Sequence, residues 1–220
     1  MIRLTARDGH ALDAYLARPA TRVRGGLVIA QEMYGVNDYL RSVCDFYAGH
    51  GYVAIAPALY DRKQRALTYA YTKDDHDRAQ QTYTAWNLGD AVADLDAAHH
   101  AIADAGKVGN VGFCWGGSLA WLSACRSDYA GAVSYYGSMI PDLAQERPRC
   151  PVICHIGDRD TSLPAARVAI FRAAQPSVPV YMYEGAPHGF DNANRTERYH
   201  PAAHKLARER TLEFLATHVG

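Results

Sequence analysis

Short β-rich runs alternate with helical patterns along most of the chain, and this alternation limits the available folds more than any other feature. Buried strands are expected at residues 26–31, 52–56, 108–113, 132–135, 152–156 and 180–183. Helices between successive strands act as crossover connections, which predicts a mostly parallel sheet with helices on both faces. An edge hairpin is expected from residues 2–5 and 11–17, because Asp8-Gly9 between them is a turn signal.

Apolar residues at helical spacing fill the segments between the strands. Asp38 is expected to cap the first helix, and residues 57–75 form the longest irregular stretch. One later helix is predicted from the spacing of Leu88, Val92, Leu95 and Ile102, and two more at residues 116–125 and 163–174. The C-terminal helix is expected to carry Ala203, Leu206, Ala207 and Phe214 on one face. Ligands of such folds bind at the carboxyl ends of the strands, so functional residues are expected there.

Length and charge narrow the class of protein. The 220 residues fit a single domain spanning residues 1–220, and 23 basic residues balance 23 acidic ones. A nucleic-acid or anionic-membrane binder would carry a basic excess, so neither partner is expected. The chain has no apolar run long enough to span a bilayer and no apolar leader after Met1. We therefore expect a cytoplasmic monomer whose five cysteines are free thiols.

Cys114 lies in a segment that is typical of a catalytic nucleophile. Residues 111–118 read Val-Gly-Phe-Cys-Trp-Gly-Gly-Ser, a strand, a tight turn and a helix, with glycines two positions before and after the cysteine. This is the spacing of a nucleophile elbow, with Cys in place of Ser. Gly is needed on both sides because side chains there would collide where strand and helix pack. The alternative is a buried cysteine in an ordinary glycine-rich turn.

An acid and a base follow Cys114 in the chain order that this kind of site requires. The loop after the strand at 152–156 contains Asp158 and Asp160, and His188 lies in the loop after the strand at 180–183. Either carboxylate is a candidate for orienting the histidine, with the other serving as a helix cap. A solvent-exposed loop histidine is the alternative for His188.

Glu32 ends the first buried strand, at the same edge of the sheet as Cys114. The loop that contains it is expected to supply one oxyanion-hole N–H, from Met33, and the helix after Cys114 a second, from Trp115. A solvated loop acid is the alternative for Glu32.

Taken together, these segments resemble the dienelactone hydrolase (carboxymethylenebutenolidase) family of the α/β-hydrolases. The resemblance is carried by residues 31–37 (Gln-Glu-Met-Tyr-Gly-Val-Asn), 112–117 (Gly-Phe-Cys-Trp-Gly-Gly), 155–157 with Asp160 and Pro164, and 185–190 (Gly-Ala-Pro-His-Gly-Phe). It implies an α/β-hydrolase fold, a Cys114 nucleophile, Asp160 rather than Asp158 as the acid, and His188 as the base. It also implies that Glu32 helps to ionise the thiol when substrate arrives. Family members open enol-lactone rings to give maleylacetate in aromatic-compound degradation.

The resemblance also indicates residues that bind an anionic substrate. It points to a helix bearing Arg78, Tyr83 and Trp86, although Arg78 is one position further from Tyr83 than the usual arginine of the family. A second arginine is usual four residues after His188, where this chain has Asn192, and Arg195 is the candidate to replace it. Core packing is the alternative role for Tyr83 and Trp86.

The sequence therefore predicts a hydrolase without cofactor or metal, acting on a small anionic lactone or ester through Cys114, His188 and Asp160. A general carboxylesterase or thioesterase is the first alternative. The second is a non-catalytic relative in which Cys114 is a redox sensor or part of a ligand site.

Overall fold

A computed structural model describes all residues, 1–220, and contains one eight-stranded sheet. The strands are β1 (Ile2–Thr5), β2 (Ala11–Ala17), β3 (Gly25–Ala30), β4 (Tyr52–Pro57), β5 (Val108–Phe113), β6 (Gly131–Tyr135), β7 (Val152–Gly157) and β8 (Val180–Tyr183). Their order across the sheet is β1-β2-β4-β3-β5-β6-β7-β8. Strands β3 to β8 pair in parallel, whereas β1 and β2 form an antiparallel hairpin that joins the edge at β4. The predicted α/β class and the edge hairpin are confirmed.

Six helices cover the two faces of this sheet. They are α1 (Asp38–Gly49), α2 (Lys73–Thr84), α3 (Leu88–Ala101), α4 (Trp115–Arg126), α5 (Ala165–Ala174) and α6 (Pro201–His218). Helices α1 and α6 pack on one face, with Leu27 and Ile29 of β3. Helices α3, α4 and α5 contribute to the cores of the opposite face, where Val28 points. Successive strand residues thus bury opposite faces, as expected for a central parallel strand covered on both sides.

Several local predictions were wrong. The cap of α1 is Asn37, whose side chain accepts from the Leu40 N–H at 3.2 Å, and Asp38 is instead the first helical residue. Asparagine and aspartate are equally good caps, so their order could not be read from residue type. Leu206 is 41% exposed, because the buried stripe of α6 follows a spacing of four residues through Ala203, Ala207, Thr211 and Leu215.

The segment expected to be irregular, residues 57–75, contains a 3₁₀ turn at Leu59–Arg62 and leads into α2. Trp86 does not lie on α2, which ends at Thr84, but in the connection to α3. None of the helices combines the length and apolar character that crossing a bilayer requires.

Candidate active site

Cys114 occupies a strained turn between β5 and α4. Its backbone has φ +56° and ψ −118°, a conformation that non-glycine residues rarely adopt. A Cβ atom on Gly112 would lie 1.9 Å from the carbonyl oxygen of Gly116, and one on Gly116 would lie 2.2 Å from that of Ala30. The steric reason for glycine on both sides of Cys114 is therefore evident in the structure. The turn presents Cys114 at the rim of the sheet, partly exposed, while Trp115 behind it is buried.

The loops after β7 and β8 bring a carboxylate and an imidazole together. Oδ2 of Asp160 lies 2.8 Å from Nδ1 of His188, and both side chains are buried. The other oxygen of Asp160 accepts the N–H groups of Ser162 and Leu163, at 2.8 and 3.0 Å, which fixes the carboxylate. Asp158 instead accepts the Gly185 N–H at 2.7 Å. Of the two carboxylates that the sequence left open, the structure places Asp160 against His188.

The environment of His188 favours the charged imidazolium when the Cys114 sulfur is ionised. Burial opposes a charge on the ring, but the charge interaction with the Cys114 sulfur and the hydrogen bond with Asp160 outweigh it and raise the pKa of His188. Such a histidine can hold a proton taken from a thiol or a water molecule.

Two backbone N–H groups at this rim have no acceptor within the protein. Met33 lies outside the helices and strands and its N–H makes no hydrogen bond, while Trp115 is the first residue of α4, whose N–H has no intrahelical partner. The Tyr60 hydroxyl donates to the Met33 carbonyl oxygen at 2.8 Å and so fixes the loop after β3. Neither of the two N–H groups predicted to form the oxyanion hole is therefore used by another acceptor of the protein.

Glu32 is not a solvated loop acid, since its side chain is buried, with 4% of the residue exposed. Its Oε2 accepts from Nδ2 of Asn192 at 3.0 Å, and the same amide donates to the Tyr71 hydroxyl at 2.9 Å. Burial raises the pKa of Glu32 to about 7, against the opposing charges of Arg195 and His188. A carboxyl group with this pKa can accept or release a proton near neutral pH.

Of these residues, Glu32, Met33, Cys114 and His188 line one cavity of about 390 Å³ at the carboxyl ends of the strands. Its lining residues include Glu32, Met33, Tyr34, His76, Gln80, Tyr83, Cys114, Met139, Arg167, His188, Arg195 and Arg198. Of the predicted substrate-binding residues, the structure places Arg195 and Tyr83 at the cavity.

Two predicted binding residues are not brought to the cavity. The side chain of Arg78 is largely exposed, pairs with Asp75 at 3.0 Å and lies over the ring of Tyr69. Arg78 is one position further from Tyr83 than the usual arginine of the family. This difference rotates its side chain around the helix and accounts for its position. Trp86 packs on Tyr60 and Trp115, with ring centroids 5.2 and 6.3 Å apart, and so takes the alternative role of core packing.

Sequence reasoning missed several polar residues of the cavity, among them Tyr34, His76 and Arg198. His76 and Arg198 belong to no sequence motif. They line the cavity because α2 and the loop after β8 form part of its wall. Tyr34 could have been found, since it directly follows Met33.

The parallel sheet, the strained turn after β5 and the loops after β7 and β8 that pair Asp160 with His188 define an α/β-hydrolase. Comparison with known proteins identifies a family within this class. The chain matches the sequence model of the dienelactone hydrolase family over residues 12–219. It is 35% identical, over 227 residues, to the carboxymethylenebutenolidase of Pseudomonas putida, covering 98% of this chain and 95% of that relative.

Solved structures share the fold of this chain. A chain from Klebsiella pneumoniae assigned as a dienelactone hydrolase superposes with a TM-score of 0.86 at 27% identity, covering 99% of both chains. An esterase from Pyrococcus furiosus shares the fold at 17% identity, with a TM-score of 0.69 over 100% of this chain and 92% of its own. The chain belongs to the dienelactone hydrolase family, and it is an enzyme that hydrolyses ester or lactone bonds.

Proposed function

We propose that this enzyme opens an anionic enol lactone, converting dienelactone to maleylacetate, through a thioester on Cys114. The observation that carries the proposal is that Cys114 and His188, with Asp160 hydrogen-bonded to His188, lie at a cavity that is also lined by arginine side chains. The Cys114 thiolate attacks the lactone carbonyl, and the N–H groups of Met33 and Trp115 bind the resulting oxyanion. The ring C–O bond then breaks, and the leaving enolate takes a proton from the His188 imidazolium, which becomes neutral.

The neutral His188 acts again in the second half of the reaction. Its Nδ1 is occupied by Asp160, so Nε2 is the nitrogen free to exchange protons. His188 accepts a proton from water, the hydroxyl attacks the thioester carbonyl, and the C–S bond breaks to release the acid and the thiolate. The Asp160 carboxylate holds the ring in this orientation and stabilises its charged form.

Glu32 controls when the nucleophile forms in this proposal. Its pKa of about 7 suits a group that accepts the Cys114 proton when an anionic substrate enters and disturbs its contact with Asn192. A thiol that is ionised only with substrate present is less open to oxidation than a permanent thiolate. Replacement of Glu32 by Gln is expected to lower turnover severely, although Glu32 makes no hydrogen bond to His188 or Asp160.

The substrate anion is bound by Arg195 in this proposal, with Tyr83 forming part of the wall. Arg195 is 8% exposed and its guanidinium lies 5.5 Å from the ring centroids of Tyr34 and Tyr71, which hold it toward the cavity. The exposed position of Arg78 favours a second candidate, a hydrolase of other anionic esters, because one arginine expected to recognise dienelactone is missing from the cavity.

A matched pair of cysteine variants tests the nucleophile. Cys114→Ala should abolish turnover of dienelactone and leave the fold intact, because Cys114 lies at the rim and not in the core. Cys125→Ala, on α4, should keep most of the activity, since Cys125 does not line the cavity. Circular dichroism checks folding, and comparable loss in both variants would contradict a Cys114 nucleophile.

A substrate panel separates the two candidate functions. The wild-type enzyme is assayed on dienelactone, on simple anionic esters and on neutral esters and thioesters. Dienelactone should give the highest kcat/KM by at least an order of magnitude. A preference for another anionic ester would support the second candidate, and turnover of none of them would contradict both.

A further inference from the structure

Helix α2 forms one wall of the catalytic cavity and presents polar side chains to it. Ala79 and Thr82 pack inward. His76, Gln80 and Tyr83, spaced four and three residues apart, line the cavity. The proposed chemistry uses none of the polar atoms of His76.

A hydrogen bond to Tyr34 fixes which nitrogen of His76 carries the proton. The Tyr34 hydroxyl lies 2.8 Å from Nδ1 of His76, and this is the one hydrogen bond that the hydroxyl makes. Tyr34 is 2% exposed, and burial raises its pKa to about 12, so the hydroxyl keeps its proton at neutral pH. An unpaired buried O–H would be costly, so the hydroxyl donates and Nδ1 accepts. The neutral ring then carries its proton on Nε2.

The charges around His76 keep the ring neutral. Burial lowers the pKa of His76, and Arg195 and Arg198 lower it further. On α2 itself, Asp77 acts in the opposite direction and Lys73 in the same direction. A proton on Nδ1 would also displace the hydrogen that Tyr34 donates, which leaves the Tyr34 O–H unpaired. The remaining titratable groups of the cavity wall are Glu32, Tyr83, Cys114, Arg167 and His188.

Arg198 makes the part of the cavity beside His76 suitable for binding an anion. It pairs with no carboxylate of the protein and makes one long hydrogen bond, from Nη1 to the His188 carbonyl oxygen at 3.5 Å. Arg195 is paired with the exposed Glu197 at 3.1 Å. A ligand carboxylate here would meet two guanidinium groups and the Nε2–H of His76.

We propose that His76 is a substrate-binding residue, that its Nε2–H donates a hydrogen bond to a carboxylate oxygen of the substrate, and that Tyr34 positions it by fixing its tautomer. The inference rests on the proposed function, because it takes this cavity as the place where an anionic ester binds. The neutral His76 fixes the direction of the hydrogen bond to the carboxylate, while the arginines supply the positive charge that attracts it. The carboxylate lies away from the bond that is cleaved, so His76 affects which substrates bind.

Binding of maleate, a small dicarboxylate without an ester bond, tests His76 independently of turnover. Calorimetry compares the wild type with His76→Ala, and with His100→Ala as a matched control on the exposed face of α3. Loss of one hydrogen bond to a charged group should weaken maleate binding about tenfold or more. His100→Ala should leave the affinity unchanged. Equal affinity of the wild type and His76→Ala, or no maleate binding by the wild type, would overturn the proposal.

The role of Tyr34 is tested by ¹⁵N NMR of the imidazole of His76. The wild-type ring should show a protonated Nε2 and an unprotonated Nδ1 at neutral pH. Tyr34→Phe should raise the pKa of His76 and populate both tautomers, an effect that general destabilisation would not produce. A wild-type ring protonated on Nδ1 would overturn the assignment. Retention of dienelactone turnover by Cys114→Ala, in contrast, would contradict the proposed function while leaving these measurements interpretable.

Discussion

At the scale of single residues, the burial of Glu32 links the site to the stability of the fold. The folded-state pKa of about 7 exceeds the ordinary value of 4.5, so the folded protein holds this proton more tightly than the unfolded chain. The stability that this provides is complete below about pH 4.5 and is lost as the pH rises through about 7. The carboxylate is tolerated at higher pH because Asn192 and Arg195 lie beside it.

Glu32→Gln removes this titration, so the variant should gain stability relative to the wild type as the pH rises. The difference in free energy of unfolding should grow by up to about 3 kcal/mol between about pH 4.5 and 8. Urea unfolding of both proteins at several pH values measures it. A difference that does not change with pH would show that the Glu32 carboxyl group does not titrate differently in the two states.

The two aspartates of the loop after β7 provide a matched pair. Asp160→Asn should lower kcat by about a thousandfold or more, because an amide favours the wrong tautomer of His188. Asp158→Asn should lower it several-fold at most, since Asp158 bonds only to the Gly185 N–H. Steady-state kinetics on the same substrate measures both. Similar losses in the two variants would mean that the loop conformation, and not the contact with His188, limits activity.

The identity of this acid shows how far single residues can be predicted from the sequence. The positions of Cys114, His188 and Glu32 follow from the ends of predictable strands, and all three reach the cavity. Asp158 and Asp160 are only two residues apart in one loop, so chain order leaves both open, and only the family resemblance favours Asp160. In the folded loop it is Asp160 that faces the imidazole.

At the scale of elements, the approach of α4 to the sheet depends on the absence of side chains at three glycines. A Cβ atom on Gly112 would overlap the carbonyl group of Gly116, and one on Gly116 would overlap that of Ala30. A Cβ atom on Gly117 would lie 2.4 Å from the carbonyl oxygen of Tyr135. All these neighbours are backbone atoms, which cannot turn aside as a side chain does. The same packing holds Cys114 at its positive φ.

Gly116→Ala should therefore destabilise the protein by about 3 kcal/mol or more, because the new methyl group would overlap the carbonyl of Ala30. Gly49→Ala is the control, since Gly49 ends α1 with open space around its would-be Cβ. It should be neutral or stabilise by about 0.5 kcal/mol. Thermal unfolding measures both, and a tolerated alanine at Gly116 would show that α4 can shift away from β3.

Elements with a clear apolar period were predictable, and those without one were not. Strands β5 and β8 have the predicted bounds, because an apolar run and its flanking turn residues define both ends. Helix α2 is mostly polar and buries only Ala79 and Thr82, so no apolar stripe revealed where it ends or that it lines the cavity. Its end before Trp86 and the positions of His76 and Arg78 required the folded structure.

At the scale of the whole molecule, a buried charge network connects the loop of His188 to two helices. Asp191 is fully buried and accepts hydrogen bonds from Tyr39 of α1 at 2.8 Å and from Arg208 of α6 at 2.9 Å. His204 of α6 lies 2.9 Å from the same carboxylate. Burial opposes the charge on Asp191, but His204 and Arg208 outweigh it and lower its pKa. The network therefore stabilises the fold at neutral pH, and this contribution is lost as the pH falls below the ordinary range of a carboxyl group.

Arg208→Met should destabilise the protein by about 3–5 kcal/mol, because it leaves a buried carboxylate without its main cation. It should also lower kcat, since Asp191 is three residues after His188 and anchors that loop between α1 and α6. Arg210→Met is the matched control on the same helix, because Arg210 packs over the ring of Tyr181 at 4.4 Å and pairs with no carboxylate. That variant should lose about 1 kcal/mol or less and keep its activity. Urea unfolding and steady-state kinetics measure both effects, and equal losses would mean that α6 supports the site through apolar packing and not through Asp191.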